Sequence, residues 1–101
     1  MKQVCFLLRL KHDRIDDYLK AHQVWPELLD VMREAGIRNY SLFLREGGMV
    51  VGYLEAENPE ESLRKVAETE VSQRWEEGMA EYFEDDGGGL EEWLRQYFYM
   101  E

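Results

Sequence analysis

Two consecutive runs of this chain, Ile37–Arg45 and Met49–Glu57, read as strands that are apolar on both of their alternating sides. In the first, Ile37 and Phe43 fall on one face and Tyr40, Leu42 and Leu44 on the other. In the second, Val50 and Leu54 oppose Met49, Val51 and Tyr53. A sheet made of such strands needs cover on each side, or it leaves an apolar surface in water. Glu46-Gly47-Gly48 between the runs supplies the glycines of a hairpin, so the two strands are antiparallel neighbours.

The rest of the chain covers only one side. Lys2–Leu10, rich in β-forming residues, is a first strand. Asp13 is placed to cap a helix that carries Ile15, Tyr18, Leu19 and His22 at the three- and four-residue spacing of one face. Pro26 restarts that helix, because proline is accepted in a first turn and not in a helix interior. Leu28, Leu29 and Met32 extend the stripe to Gly36, a C-terminal cap. Asn58-Pro59-Glu60-Glu61 starts a short helix with a cap, an N1 proline and first-turn acids, and it runs to about Glu68. Thr69 starts another, with Val71, Trp75, Met79, Tyr82 and Phe83 on one face. Asp85–Gly89 reads as a loop, and the aromatic-dense, alternating Trp93–Met100 as a last strand. The order is β-α-β-β-α-β with the second helical region split in two. That is a ferredoxin-like α+β fold, an antiparallel sheet with helices on one face. Its bare face predicts a homodimer that packs sheet against sheet.

A chain of 101 residues fits a single domain, 1–101, and 45% hydrophobic with 13% aromatic residues is enough to build a core, which excludes wholesale disorder. The net charge is −10 and is unevenly placed: residues 1–50 hold 8 basic and 7 acidic side chains, residues 51–101 hold 4 and 15. An acidic surface repels phosphate backbones and anionic headgroups, so neither nucleic acid nor a membrane surface is an expected partner. Arg9 and Lys11 interrupt the early apolar run, which is too short for a membrane span and lacks a signal-peptide cleavage pattern. The one cysteine, Cys5, has no internal disulfide partner, and in Val4-Cys5-Phe6-Leu7-Leu8 it reads as a small buried hydrophobe. A reducing, cytoplasmic setting follows.

The scarce reactive groups are His12 and His22. His12, between Lys11 and Asp13, reads as a solvated junction residue, and Asp17 as a solvated helix charge. His22 falls on the helix stripe one turn after Tyr18. Two roles stay open for it: a core histidine beside the helix break, or an imidazole at the edge of a pocket opened by Trp25-Pro26, exchanging a proton near neutral pH. Trp75 lies on an apolar helix face and packs the core by default, although an indole also suits the C–H face of a sugar, as a phenol such as Tyr40 suits its hydroxyls. No carboxylate pair has glycosidase-like placement, and Gly87-Gly88-Gly89 lacks the lysine and hydroxyl residue of a phosphate loop. Metal-ligand spacing is absent.

Tyr18-Leu19-Lys20-Ala21-His22, Trp25-Pro26-Glu27-Leu28, Gly36-Ile37-Arg38-Asn39-Tyr40, Val71-Ser72-Gln73-Arg74-Trp75 and the tail Tyr97-Phe98-Tyr99 run in this order over essentially the whole chain. Together they resemble the L-rhamnose mutarotases. The resemblance implies a dimeric α/β barrel of ferredoxin-like subunits and a cofactor-free isomerase that interconverts the α and β anomers of L-rhamnose. It implies that His22 donates the proton and that Tyr18, Tyr40 and Trp75 contact the sugar. Glu76 stands where family members often carry a second tryptophan. The resemblance thus puts it on the sugar-binding wall, with an altered preference among deoxy-sugars. Only Gln23 and Val24 separate His22 from Trp25, a shorter spacing than is common in the family, which changes how the imidazole is aimed. The same architecture also hosts small-ligand binding modules, haem- or quinone-handling monooxygenases with His22 as an axial ligand, and plain dimerisation modules.

Overall fold

The computed structural model describes residues 1–84 and 92–101, so the loop expected over Asp85–Gly89 lies outside the described residues. Strand β1 (Lys2–Arg9) turns Val4, Phe6 and Leu8 into the protein and leaves Cys5 and Leu7 half-buried on its other side. It pairs antiparallel with β3 (Met49–Ala56) along its whole length, from Lys2 opposite Ala56 to Arg9 opposite Met49. Strand β2 (Arg38–Arg45) lies on the outer edge of β3, and β4 (Glu92–Leu94) on the free edge of β1, which gives the order β2-β3-β1-β4. This is the ferredoxin-like α+β arrangement that the element order predicts.

The helices begin and end for local reasons. A single 3-10 turn, His12–Arg14, precedes α1 (Ile15–Ala21); Asp13 sits inside that turn, and no side chain caps α1. The buried stripe of α1 is narrower than the spacing predicts, because Tyr18 is buried while Leu19 is 52% exposed. Helix α2 (Pro26–Glu34) starts with its proline at N1, and Trp25 is held extended (φ −67°, ψ 139°), as a residue before proline must be. The chain therefore leaves helix between Ala21 and Pro26. Helix α2 ends at Gly36 (φ 95°), where the Gly36 and Ile37 N–H groups donate to the carbonyls of Arg33 and Met32, both at 3.0 Å. That pair of bonds is a Schellman cap, and its left-handed residue favours glycine.

Helix α3 (Pro59–Ala67) is capped by Asn58, whose Oδ1 accepts from the Glu61 N–H at 3.3 Å. Helix α4 (Glu70–Met79) is capped by Thr69, whose Oγ1 accepts from the Ser72 N–H at 3.2 Å. The apolar stripe of α4 stops short of the expected Phe83. Residues Ala80–Tyr82 tighten into a 3-10 turn, and Phe83 pairs with Leu10 as an isolated bridge, extending the sheet side of the core.

Between helices and sheet, Phe6, Leu10 and Leu54 are fully enclosed. Phe6 lies directly over Gly52, its partner across the β1–β3 pair. A Cβ added at Gly52 would come within 2.1 Å of the Phe6 ring, so the ring occupies space that only glycine leaves free. The opposite face of the sheet is uncovered: Leu7, Val51 and Tyr53 are half-buried, and Phe43 is 63% exposed. Cys5 belongs to this uncovered face, and is half-buried where the run Val4–Leu8 suggests a buried strand. The last strand is also shorter than the alternation of Trp93–Met100 implies. Leu94 pairs with Cys5, the Gln96 amide still donates to the Gln3 side chain at 2.6 Å, and there β1 runs out. With no strand left to pair, the tail carries Tyr97 91% exposed.

Gly52→Ala is expected to destabilise the fold by about 1–3 kcal/mol through overpacking against Phe6. Urea denaturation checks this as a lower midpoint with an unchanged slope, and Phe6→Leu in the same chain should recover part of the loss.

Candidate active site

Tyr40 stands at the end of the regular part of β2, just before an irregularity. From the hairpin, Leu44 pairs with Val50, Leu42 with Gly52 and Ser41 with Tyr53, after which the register shifts and Arg38 pairs with Glu55. Asn39 and Tyr40 therefore share the place opposite Leu54, a β-bulge. Asn39 takes the left-handed conformation (φ 51°) that asparagine tolerates better than most residues, and its amide donates to Glu55 Oε1 at 2.8 Å. Tyr40 alternates with Leu42 and Leu44 onto the helix side, where its ring meets Phe6 edge-on at 6.1 Å between centroids, and the extra residue reverses the alternation beyond it, so that Ile37 is buried in the core and does not share the open face with Phe43. Sequence periodicity alone leaves that side undetermined.

The break between α1 and α2 places the imidazole. His22 caps the C-terminus of α1, its N–H donating to the Tyr18 carbonyl at 2.9 Å. Its ring lies 5.2 Å from that of Tyr18 and meets Trp75 edge-to-face at 5.4 Å. Trp75 in turn meets Trp25 edge-to-face at 5.3 Å. Tyr18, His22, Trp75 and Trp25 thus form a continuous row of rings across the ends of α1 and α2 and the middle of α4. Such pairs hold one another's orientation beyond what burial alone does.

This row borders a cleft of about 1050 Å³, at the upper end of the range typical of small-molecule sites. His22, Tyr40, Leu42, Trp75, Glu76 and Trp93 are among its lining residues. The structure therefore brings together four of the five residues singled out from the sequence: His22, Tyr40, Trp75 and Glu76. Tyr18 stands one ring back, 6% exposed, packed on His22, Tyr82 and Phe83 and not part of the lining. His12 is exposed in its 3-10 turn, outside the cleft. Among the described residues, no three His, Cys, Asp or Glu side chains gather as metal ligands do.

Sequence reasoning missed part of the floor. Leu42, Gly52, Phe6 and Trp93 lie side by side across β2, β3, β1 and β4 on the helix face. Leu42 and Trp93 reach the cleft only through this cross-strand register, which no local pattern reports. Trp25 enters the sequence reading with Pro26 as the step that opens the pocket, and the fold adds its ring contact with Trp75.

Loss of water dominates the electrostatics of the cleft. It pushes the Tyr40 phenol up to about 12, with the Glu76 carboxylate and then Tyr18 adding to the effect. Tyr40 as a residue stays 37% exposed, so it is the hydroxyl end that is withdrawn from water. The Tyr18 phenol is raised for the same reasons, burial first and the Glu76 charge second. Glu76 itself is raised by desolvation alone. The cleft thus offers the Tyr40 phenol as a hydrogen-bond donor and, on the opposite element, the Glu76 carboxyl as an acceptor.

Because folding raises the Glu76 pKa, the folded state favours its protonated form, and that advantage disappears as pH rises and the carboxylate ionises. Glu76→Gln should therefore gain stability relative to the parent between about pH 4 and neutrality. Urea midpoints of the two proteins at the two pH values check the sign.

The profile of the L-rhamnose mutarotase family matches residues 3–100. The chain is 39% identical to the L-rhamnose mutarotase of Bacillus subtilis over 82 residues, covering 79% of this chain and 78% of that protein. It is 35% identical to the one from Shouchella clausii over 98 residues, 93% of each chain. The match to the Pectobacterium carotovorum protein is 33% identical and covers 100% of both. The crystal structure of an L-rhamnose mutarotase from Formosa agariphila shares the fold, with a TM-score of 0.83 over 100% of both chains at 24% identity. On the profile, the relatives and the shared fold, this chain belongs to the L-rhamnose mutarotase family.

Proposed function

We propose that this protein, one domain over residues 1–101, catalyses the interconversion of the α and β anomers of L-rhamnose, with His22 as the group that moves the decisive proton. The observation that carries the assignment is the convergence of His22, Tyr40 and Trp75, from three separate stretches of chain, on one cleft in a member of this family. Membership favours a sugar isomerase over the binding-module and monooxygenase alternatives that share the architecture.

Mutarotation opens the pyranose ring. O1 loses its proton, the ring oxygen gains one, and the C1–O5 bond breaks to leave a free aldehyde. Rotation about C1–C2 and reclosure give the other anomer. In this reading protonated His22 gives its proton to the ring oxygen and takes it back on closure. The Tyr40 phenol, neutral because its hydroxyl is dehydrated, donates a hydrogen bond to a sugar hydroxyl. Tyr18 packs behind His22 and holds the imidazole against the sugar, its own phenol kept protonated by burial and by the Glu76 charge. Trp75 offers an apolar wall to the C–H face of the ring. Glu76, on the same wall, accepts from sugar hydroxyls. A neutral sugar needs no charge complement, and positioned proton transfer contributes ~10²–10⁴-fold, sufficient for a reaction that already proceeds in water.

We further infer a homodimer through the uncovered sheet face. Leu7, Val51, Phe43 and Leu94 on that face, and the exposed tail from Tyr97 to Met100, are the apolar surface a second subunit would remove from water. Among the described residues no helix is long and apolar enough to cross a membrane. The lone Cys5 suits a reducing, cytoplasmic setting.

His22→Ala should lower the anomeric exchange of L-rhamnose, followed by saturation-transfer NMR, by ~10²-fold or more; an unchanged rate removes His22 from the mechanism. Val51→Asp, which places a charge in the middle of the open face, should turn the dimer into a monomer in sedimentation equilibrium.

A further inference from the structure

Ring opening needs a base at O1 as well as an acid at the ring oxygen, and the reading above leaves the base unnamed. We infer that Glu76 is that base, a catalytic residue that takes the O1 proton while His22 protonates O5; the inference rests on the mutarotase reading.

Three carboxylates line the cleft, Glu60, Glu76 and Glu77. Glu76 lines the same cleft as His22 and as Trp75, the residue before it in α4, whose ring meets the imidazole at 5.4 Å. It is also the carboxylate whose charge acts on the cleft-lining phenol of Tyr40 from β2 and on the Tyr18 phenol behind His22; neither Glu60 nor Glu77 acts on them. The other titratable or charged groups lining the cleft are His22 at the end of α1, Glu60 and Arg64 from α3, and Glu77 beside it on α4. Arg64 is engaged by Glu68 at 3.1 Å. Nothing but loss of water shifts Glu76, so no protein donor or cation compensates its charge among the described residues. A dehydrated carboxylate in that condition gains most from a ligand O–H, and a carboxylate whose pKa is raised is a stronger base than an ordinary one. The phenols cannot take this part, since Tyr40 stays protonated to about 12.

The step balances within the pair. The O1–H proton passes to the Glu76 carboxylate, the O1 electrons form the C1=O1 bond, the C1–O5 bond breaks, and O5 takes a proton from His22. Glu76 is left protonated and His22 neutral. Reclosure on the opposite face of the aldehyde returns both protons, and no other reactant is consumed.

The test measures L-rhamnose exchange by saturation-transfer NMR against pH for the parent, Glu76→Gln and Glu76→Asp, with folding checked by urea midpoint. Expected are an active parent whose rate falls on the acid side, a loss of about 10²-fold and of that acid limb in Glu76→Gln with sugar affinity kept within a few-fold, and partial recovery in Glu76→Asp. Glu76→Gln that keeps the parent rate and acid limb, or that loses only affinity, overturns the inference and leaves the mutarotase reading standing. A parent that does not accelerate exchange removes the reading itself.

Discussion

The ring of Phe6 filling the space above Gly52 is the contact on which most of this structure depends. It locks β1 to β3 in one register, because a one-residue slip would put a side chain where the ring must lie. The same ring receives the edge of Tyr40, and its neighbours across the sheet, Leu42 beyond Gly52 and Trp93 on β4, supply apolar floor to the cleft. Fold and site therefore share one row of residues. Substitutions that loosen the core at Phe6 should be felt in the cleft before they unfold the protein.

Above that floor, backbone chemistry does the positioning. Pro26 forces Trp25 extended, so α1 ends and leaves His22 at the break. From there the imidazole reaches Trp75, which α4 presents from the far side, and Trp75 is buttressed by Trp25 itself. On the sheet, alternation with Leu42 and Leu44 turns Tyr40 toward the same space, and the bulge at Asn39 then returns Ile37 to the core. The break between α1 and α2 thus aims a side chain that one continuous helix would not have brought to this space.

The uneven charge of the chain has a consequence at this site. Acidic residues crowd the second half of the sequence, and most are spent on exposed helix surface, several in pairs such as Lys65–Glu61 and Arg64–Glu68. Exposed pairs of this kind contribute little to stability. Glu76 differs because its carboxyl loses water without gaining a partner, a liability in folding that becomes useful where a ligand brings hydroxyl protons.

Much of the architecture was legible from residue order. Alternation in Lys2–Leu10 and Met49–Glu57, the Gly47-Gly48 hairpin, the caps Asn58 and Thr69, and the breakers Pro26 and Gly36 act through neighbours in the chain, and they were enough for the ferredoxin-like order and the uncovered face. Where the reading slipped, a distant partner intervened. Phe83 left the α4 stripe to pair with Leu10, the tail lost its strand when β1 ended, and Asp13 was drawn into a 3-10 turn. In the site, His22, Tyr40, Trp75 and Glu76 were named from the sequence through family resemblance and Trp25 as part of the step that opens the pocket, whereas Leu42 and Trp93 were not. Short-range chemistry, propensity and capping, is written into successive residues and determined the elements. The side Tyr40 faces, the depth at which Tyr18 lies and the floor beneath the cleft depend on which strands stand beside one another, so only the folded sheet decided them.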